Sequence, residues 1–379
     1  MTVIRVAVPA RPERAYEIRL EPGGLDRLGD LCSSAPAHRY AVIADSHVAE
    51  LYGPRALRAL AADGKEAELF TFPAGEWNKS ASEWTRLCGE LMQEGFGRDS
   101  AVVALGGGVT GDLAGFVAST YARGLPVIQV PTTLLSMLDS SVGGKTGIDA
   151  GQVKNAVGTF HHPAAVLIDP QCLSTLPRYQ RISGLAEAVK AAAIRDREFF
   201  AWIEQHAGPL RDGEADALTD LIERSLRIKS EVVAEDPEER GVRAILNFGH
   251  TFGHALESMS GFSVLHGEAV AAGMRMEARL GESEGVTAAG VGERLDEILA
   301  RCGLPEVLEP PLDLDELLDR ARTDKKVREG SLRWVLLADV GRVAPGPRGS
   351  HTHEIPVARC RGPLEAALRK AFEATDSST

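Results

Sequence analysis

The stretch from Ala101 to Pro163, AVVALGGGVTGDLAGFVASTYARGLPVIQVPTTLLSMLDSSVGGKTGIDAGQVKNAVGTFHHP, constrains this chain more than any other. Its apolar start, Ala101 to Leu105, reads as a buried strand that meets three glycines, Gly106 to Gly108. Leu113, Phe116 and Val117 then recur at helical spacing. A strand, a glycine turn and a helix start leave backbone N–H groups free beside a backbone without side chains, which makes a seat for a phosphate. Gly106, Gly108 and Gly111 fit the letters GxGxxG, but the acidic residue of the dinucleotide fingerprint, due about twenty positions later, is missing. Asp45, which ends the earlier apolar strand Tyr40 to Ala44, is the acid able to hold a ribose instead. GGKT at Gly143 to Thr146 matches the end of a P-loop, yet the first glycine of that pattern would be Asp139, so an ATPase is rejected. Lys145 and Lys154, the latter beside Asn155, lie in a loop rich in Gly and Ser and point to an anionic ligand.

A net charge of -12 argues against nucleic acid or an anionic membrane surface as partner, because both require clustered Lys and Arg. An acidic protein that binds a small anion must gather its cations locally. With 379 residues, 44% of them hydrophobic, the chain can bury two cores. Its five cysteines lie far apart without a CxxC pair, which indicates reduced thiols rather than a disulfide framework or a zinc ribbon. No apolar stretch reaches transmembrane length, and the expected location is the cytoplasm.

Strand patterns at Val3 to Val8 and Ala15 to Leu20, joined by a turn, and at Tyr40, Glu68, Ala101, Val127 and Ala164, alternate with helical patterns such as Ser80 to Gly95. That order predicts a mostly parallel sheet covered on both faces. From about Pro177 the periodicity becomes helical: Ser183 to His206, Glu214 to Ala234, Thr251 to Met259, His266 to Glu284 and Gly290 to Arg301, with one strand pair around Leu332 to Val343. The expected architecture is an α/β nucleotide-binding domain over residues 1–177 and a mainly α-helical metal- and substrate-binding domain over 178–379, with the ligand site in the cleft between them.

The helical half carries RAILNFGHTFGHALE, Arg243 to Glu257, and LHGEAV, Leu265 to Val270. His250 and His254 share a helix face, and His266 opens the next helix. Two or three histidines plus a carboxylate, with one coordination position open, is a common way to hold a catalytic zinc, although the letters do not say which histidines bind. Glu187 is the candidate carboxylate, because its helix is otherwise small and apolar; the bland alternative is a solvated pair with Lys190. Arg123, Lys190, Lys229, Arg243 and the pair Lys325-Lys326 are basic, and with Lys145 and Lys154 they suit a phosphorylated, carboxylated substrate.

Taken in order, GGGVTGDLAGF, QVPTTLLSMLDSSVGGKTG, Lys154-Asn155, GLAEAVK, RAILNFGHTFGHALE, LHGEAVAAGM and DKK resemble the 3-dehydroquinate synthase family of sugar phosphate cyclases, from about Asp45 to Lys326. The resemblance implies an NAD-binding domain joined to a metal domain, a homodimer, and Zn2+ or Co2+ held by Glu187, His250 and His266. His254 is left for substrate or proton transfer. It implies NAD contacts at Asp45, Glu76, Lys79, Gly108, Val109, Gly111, Asp112, Thr132, Thr133, Lys145 and Lys154. Substrate contacts fall on Arg123, Asp139, Lys145, Asn155, Lys190, Lys229, Arg243, Asn247, Lys325 and Lys326. Val153 stands where the family commonly has glycine. The implied reaction takes 3-deoxy-D-arabino-heptulosonate 7-phosphate to 3-dehydroquinate and phosphate, in the shikimate pathway. Its rivals are an inosose- or valiolone-forming cyclase, a metal-dependent polyol dehydrogenase, and an inactive NAD-binding regulator. Arg243 and Asn247 favour a substrate with a carboxylate.

Overall fold

The computed structural model describes residues 15–151, 153–261, 263–305, 313–323 and 331–365. The first half is built from β1 (Glu17–Leu20), β2 (Arg39–Asp45), α1 (Ser46–Ala62), β3 (Glu66–Phe72), α2 (Ala81–Gln93), β4 (Ser100–Gly106), α3 (Gly108–Thr120), β5 (Val127–Pro131), a hairpin of β6 (Lys145–Ala150) and β7 (Val153–Phe160), and β8 (Ala165–Ile168). Six strands form one parallel sheet in the order β1-β8-β5-β4-β2-β3. Apolar side chains alternate across it. Ala41, Ile43, Val102 and Ala104 face α2 and α3, while Val42, Ala44, Val103 and Leu105 face α1. The chain leaves β2 toward β3 but leaves β4 toward β5, so the carboxyl ends of the adjacent β2 and β4 open a crevice at a topological switch point.

The second half is α4 (Arg178–Arg195), α5 (Arg197–Asp212), α6 (Ala215–Glu235), α7 (His250–Met259), α8 (His266–Ser283), α9 (Val291–Arg301) and α10 (Leu314–Thr323), with β9 (Ser331–Trp334), β10 (Leu337–Asp339), β11 (Arg342–Val343) and β12 (His353–Pro356). Helices α4, α5 and α6 extend the core on the α1 face of the sheet, and α7, α8 and α10 enclose a separate cluster around Phe252 and Trp334. No helix among the described residues is long and apolar enough to cross a membrane.

Three expectations change. The helix expected from Ser183 to His206 breaks at Asp196, whose extended backbone ends α4 and whose Oδ1 accepts from Phe199 N–H (2.9 Å) to cap α5. The Gly/Ser-rich loop of Lys145 and Lys154 is a β-hairpin, its strands pairing from Lys145 with Phe160 to Ala150 with Val153. Ala15 to Leu20 contributes β1, which pairs in parallel with β8; the companion strand Val3 to Val8 lies outside the described residues. Val153 itself opens β7 with its side chain exposed, a setting that suits a β-branched residue.

Candidate active site

Three helices bring together groups distant in sequence. Glu187 lies on α4, and His250 and His266 are the first residues of α7 and α8. The helices can approach because glycine lines the contacts. A Cβ on Gly267 would lie 1.8 Å from the carbonyl oxygen of Ser183 on α4, and one on Gly273 would lie 1.9 Å from that of Gly249. Gly249 has a left-handed backbone (φ 79) that turns the chain into α7, and its N–H donates to the fully buried Glu277 at 2.9 Å.

One ligand atom from each of Glu187, His250 and His266 fits within 4.8 Å of the others. Glu187 Oε1 is 3.6 Å from His250 Nε2 and 3.4 Å from His266 Nε2. The Nδ1 atoms face away, toward Phe248 O (3.2 Å) and Glu257 Oε1 (3.3 Å), so each ring can present an unprotonated Nε2 to the common centre. Glu187 is 3% exposed, and neither of its carboxylate oxygens has a hydrogen-bond partner of good geometry, although Lys190 pairs with it ionically. Burial would raise the Glu187 pKa, but Lys190 and His266 outweigh it and hold it at about 2. Burial would lower His266, yet Glu257 and Glu187 raise it to about 10; His250 is pushed well below its ordinary value by burial and then by Lys190. Two imidazoles and a buried carboxylate whose oxygens lack a hydrogen-bond partner of good geometry, all within reach of one centre, fit a divalent metal.

His254 stands one turn after His250, its ring edge-on to that of His250 at 5.3 Å, and takes no part in this triad. Beside the triad, Lys190, Lys229, Asp139 and Ser225 line a small cavity with Glu187. Lys229 is seated on Asp139. Arg243, 1% exposed, donates to Pro237 O (2.6 Å) and Gly143 O (2.9 Å), which leaves its buried Nε without a partner. Asn247 donates to Glu239 at 2.8 Å, and Lys145 pairs with the same glutamate. Lys190 and Lys229 therefore share the cavity beside Glu187, with Arg243 near enough to Lys229 to act on its charge, and each cation is held by protein acceptors. Asn155 has a left-handed backbone (φ 49) anchored by its N–H on Asp149 (2.8 Å). Arg123 ends the turn after α3, and its side chain has no hydrogen bond or ion pair among the described residues. Lys325 and Lys326 lie outside the described residues.

The switch-point crevice holds the second set. Gly106 ends β4, Gly107 caps α3 and Gly108 opens it, so the free N–H groups of α3 point into the crevice. A Cβ on Gly107 would meet Thr133 at 3.1 Å, so the glycines keep this approach clear. Asp45 is at the end of β2, where Oδ1 caps α1 through His47 N–H (3.0 Å) and Val48 N–H (3.1 Å) and Oδ2 accepts from Thr110 of α3 at 3.2 Å. Val109 and Gly111 lie in the first turn of α3, while Thr132 and Thr133 follow β5 along the same edge. Thr132 N–H donates to Gly106 O at 2.9 Å. Lys79 is surrounded by Glu76 (2.7 Å), Asp112 (3.5 Å) and Asp149 (3.6 Å). Burial raises Asp112 to about 6 against the pull of Lys79. The arrangement of an N-terminal helix dipole, a clear glycine approach and a strand-end acid fits a dinucleotide.

Lys154 joins the two sets: its Nζ lies 2.8 Å from Glu257 Oε1 and 3.5 Å from Glu76 Oε1. Glu257, Glu239 and Asp149 were not singled out in the sequence. Glu257 could have been noticed, since it falls seven residues after His250, on the same helix face. The pairings of Glu239 and Asp149 arise from contacts across the fold that no local pattern signals.

Two family models match the chain, 3-dehydroquinate synthase N-terminal over residues 69–183 and 3-dehydroquinate synthase C-terminal over 184–327. A 3-dehydroquinate synthase of Symbiobacterium thermophilum is 46% identical over 338 residues, covering 88% of this chain and 94% of the relative. One of Pelobacter propionicus is 42% identical over 87% of this chain and 92% of the relative. Among solved structures, 2-epi-5-epi-valiolone synthase from Streptomyces hygroscopicus subsp. jinggangensis, with NAD+ and Zn2+ bound, superposes with a TM-score of 0.84 at 30% identity, covering 97% of this chain and 100% of that one. A 2-deoxy-scyllo-inosose synthase complexed with carbaglucose-6-phosphate, NAD+ and Co2+ gives 0.86 at 26% identity, over 94% and 97%. A glycerol dehydrogenase of Schizosaccharomyces pombe, at 16% identity and a TM-score of 0.68 over 97% and 93%, shares the fold alone.

Proposed function

The chain belongs to the 3-dehydroquinate synthase family, and we propose from this that it converts 3-deoxy-D-arabino-heptulosonate 7-phosphate to 3-dehydroquinate and phosphate, with NAD and a divalent metal. The observation that carries the assignment of residues is the buried triad of Glu187, His250 and His266, flanked by Lys190 and Lys229 and linked through Lys154 to the β2-β4 crevice.

Glu187, His250 and His266 would hold Zn2+ or Co2+, and the crevice lined by Asp45, Gly108, Asp112, Thr132 and Thr133 would hold NAD. The bound metal would supply acidification of a substrate hydroxyl, and NAD would supply a reversible hydride acceptor for the carbon that bears it. The protein's own groups act on the rest of the substrate. Lys190 and Lys229 neutralise phosphate charge, and by fixing the phosphate they let its own oxygen take the proton whose loss expels it. Arg243 and Asn247 face the carboxylate, with the unpartnered Nε of Arg243 as a donor. His254, next to the triad and outside it, moves protons to and from substrate oxygens. Lys145, Asn155 and Arg123 complete the substrate shell, together with Lys325 and Lys326.

The chain divides near residues 177 and 178, where the helical half begins with α4, and it works in the cytoplasm as a homodimer. Support for the dimer comes from β7, which exposes Val153, Val157 and Phe160.

The test is stoichiometry with the heptulosonate phosphate. One phosphate should appear per substrate consumed, NADH absorbance should show no net rise, and catalytic NAD should support many turnovers. Accumulation of free NADH without phosphate release would identify a dehydrogenase instead.

A further inference from the structure

Glu257 is 2% exposed and sits two turns after His250 on α7. One of its oxygens, Oε1, serves two partners: His266 Nδ1 at 3.3 Å and Lys154 Nζ at 2.8 Å. The other, Oε2, is buried without a hydrogen bond. Lys154 belongs to β7 of the α/β half and lies also 3.5 Å from Glu76 Oε1, which in turn contacts Lys79 at 2.7 Å. His266, Glu257, Lys154, Glu76 and Lys79 thus form a continuous run of alternating charge. It leads from the metal-ligand triad to the acidic wall of the nucleotide crevice, where Asp112 of α3 also reaches Lys79. A carboxylate on the rear nitrogen of a ligand imidazole sets the ring's tautomer, direction and basicity. Here the same oxygen also holds the only strand-borne cation of that run.

We propose that Glu257 is a positioning residue with two duties. It orients His266 toward the metal, and through Lys154 it couples the metal site to the nucleotide site, so that filling either one alters the affinity of the other. This rests on the metal and NAD reading given above. Both sites bias the placement of one ammonium group, and by thermodynamic linkage the resulting coupling is reciprocal.

The test uses the full chain without substrate. Zinc affinity is measured by competition with a chromophoric chelator, with and without NAD, in the native protein, E257Q and K154M. E257Q keeps the side chain's shape and should bind zinc about ten- to a hundredfold more weakly. Its cobalt-loaded form should show a displaced visible absorption spectrum, since the His266 ring is no longer fixed; mere loss of fold stability would not produce that shift. K154M, which leaves the Glu257–His266 contact in place, should bind zinc no more weakly than native. At NAD concentrations shown by titration to saturate each protein, NAD should change zinc affinity in the native protein and leave it unchanged in K154M, which decides the coupling even if E257Q fails to fold. Native-like zinc affinity and cobalt spectrum in E257Q, or persistence of the NAD effect in K154M, would overturn the proposal. A native chain that binds no zinc would overturn it together with the metal reading.

Discussion

The ammonium group of Lys229, on α6, donates to the backbone carbonyl of Asp139 at 2.6 Å and pairs with the same residue's carboxylate. A cation of the helical half is thereby seated on the turn between β5 and β6 of the sheet half. Burial lowers the Lys229 pKa to about 8, and neighbouring Lys190 and Arg243 push the same way, while Asp139 opposes them.

The consequence is a pH dependence of binding. Because the folded pKa is depressed, Lys229 is charged below about pH 8 and neutral above it. KM for the phosphorylated substrate should therefore rise as pH passes through 8, with kcat less affected. Arginine stays charged throughout, so Lys229→Arg should flatten the KM profile. An identical rise in the variant would assign the titration to another group.

Metal removal should abolish turnover, since Glu187, His250 and His266 would then offer no Lewis acid to the substrate hydroxyl. Dialysis against a chelator should also lower Tm, as a ligand that binds only the folded state stabilises it. Added zinc or cobalt should restore both. Full activity in protein shown by elemental analysis to be metal-free would contradict the assignment.

Arg243 spends two of its nitrogens on Pro237 O and Gly143 O and keeps Nε buried and unpaired. Lysine carries its three donors on one nitrogen, so it cannot bridge the two carbonyls and also place a donor where Nε lies. Arg243→Lys should lower kcat/KM for the heptulosonate by about tenfold or more, with a smaller effect on sedoheptulose 7-phosphate, which lacks the carboxylate. Equal losses on the two substrates would mean that Arg243 does not read the carboxylate.

The closeness of α8 to α4 predicts an effect of the smallest substitution. In Gly267→Ala the new Cβ would lie 1.8 Å from Ser183 O, so the helices must separate and His266 must leave Glu187. A loss of about 1–3 kcal/mol of stability should follow, with weaker zinc binding. Gly89→Ala in α2, where the added Cβ meets nothing within 4 Å, should keep or raise Tm. Equal Tm values for the two variants would refute the packing argument.

Periodicity in the sequence was enough to reveal the α/β half followed by helices, because strand and helix repeats follow directly from which side chains are apolar. The strand-glycine-helix at Gly106 to Gly108 and the histidines at the starts of α7 and α8 were legible for the same reason: they are local. What the sequence left open was which histidine joins Glu187. His250 and His254 are equivalent by spacing, and only the docking of α8 on α4 and α7, at Gly267 and Gly273, places His266 and His250 on the carboxylate and sets His254 aside. The shared oxygen of Glu257 and the seat of Lys229 on Asp139 were likewise decided by tertiary structure. A buried charge chooses its partner among whatever groups the packing brings within reach, and separation along the chain carries no record of that distance.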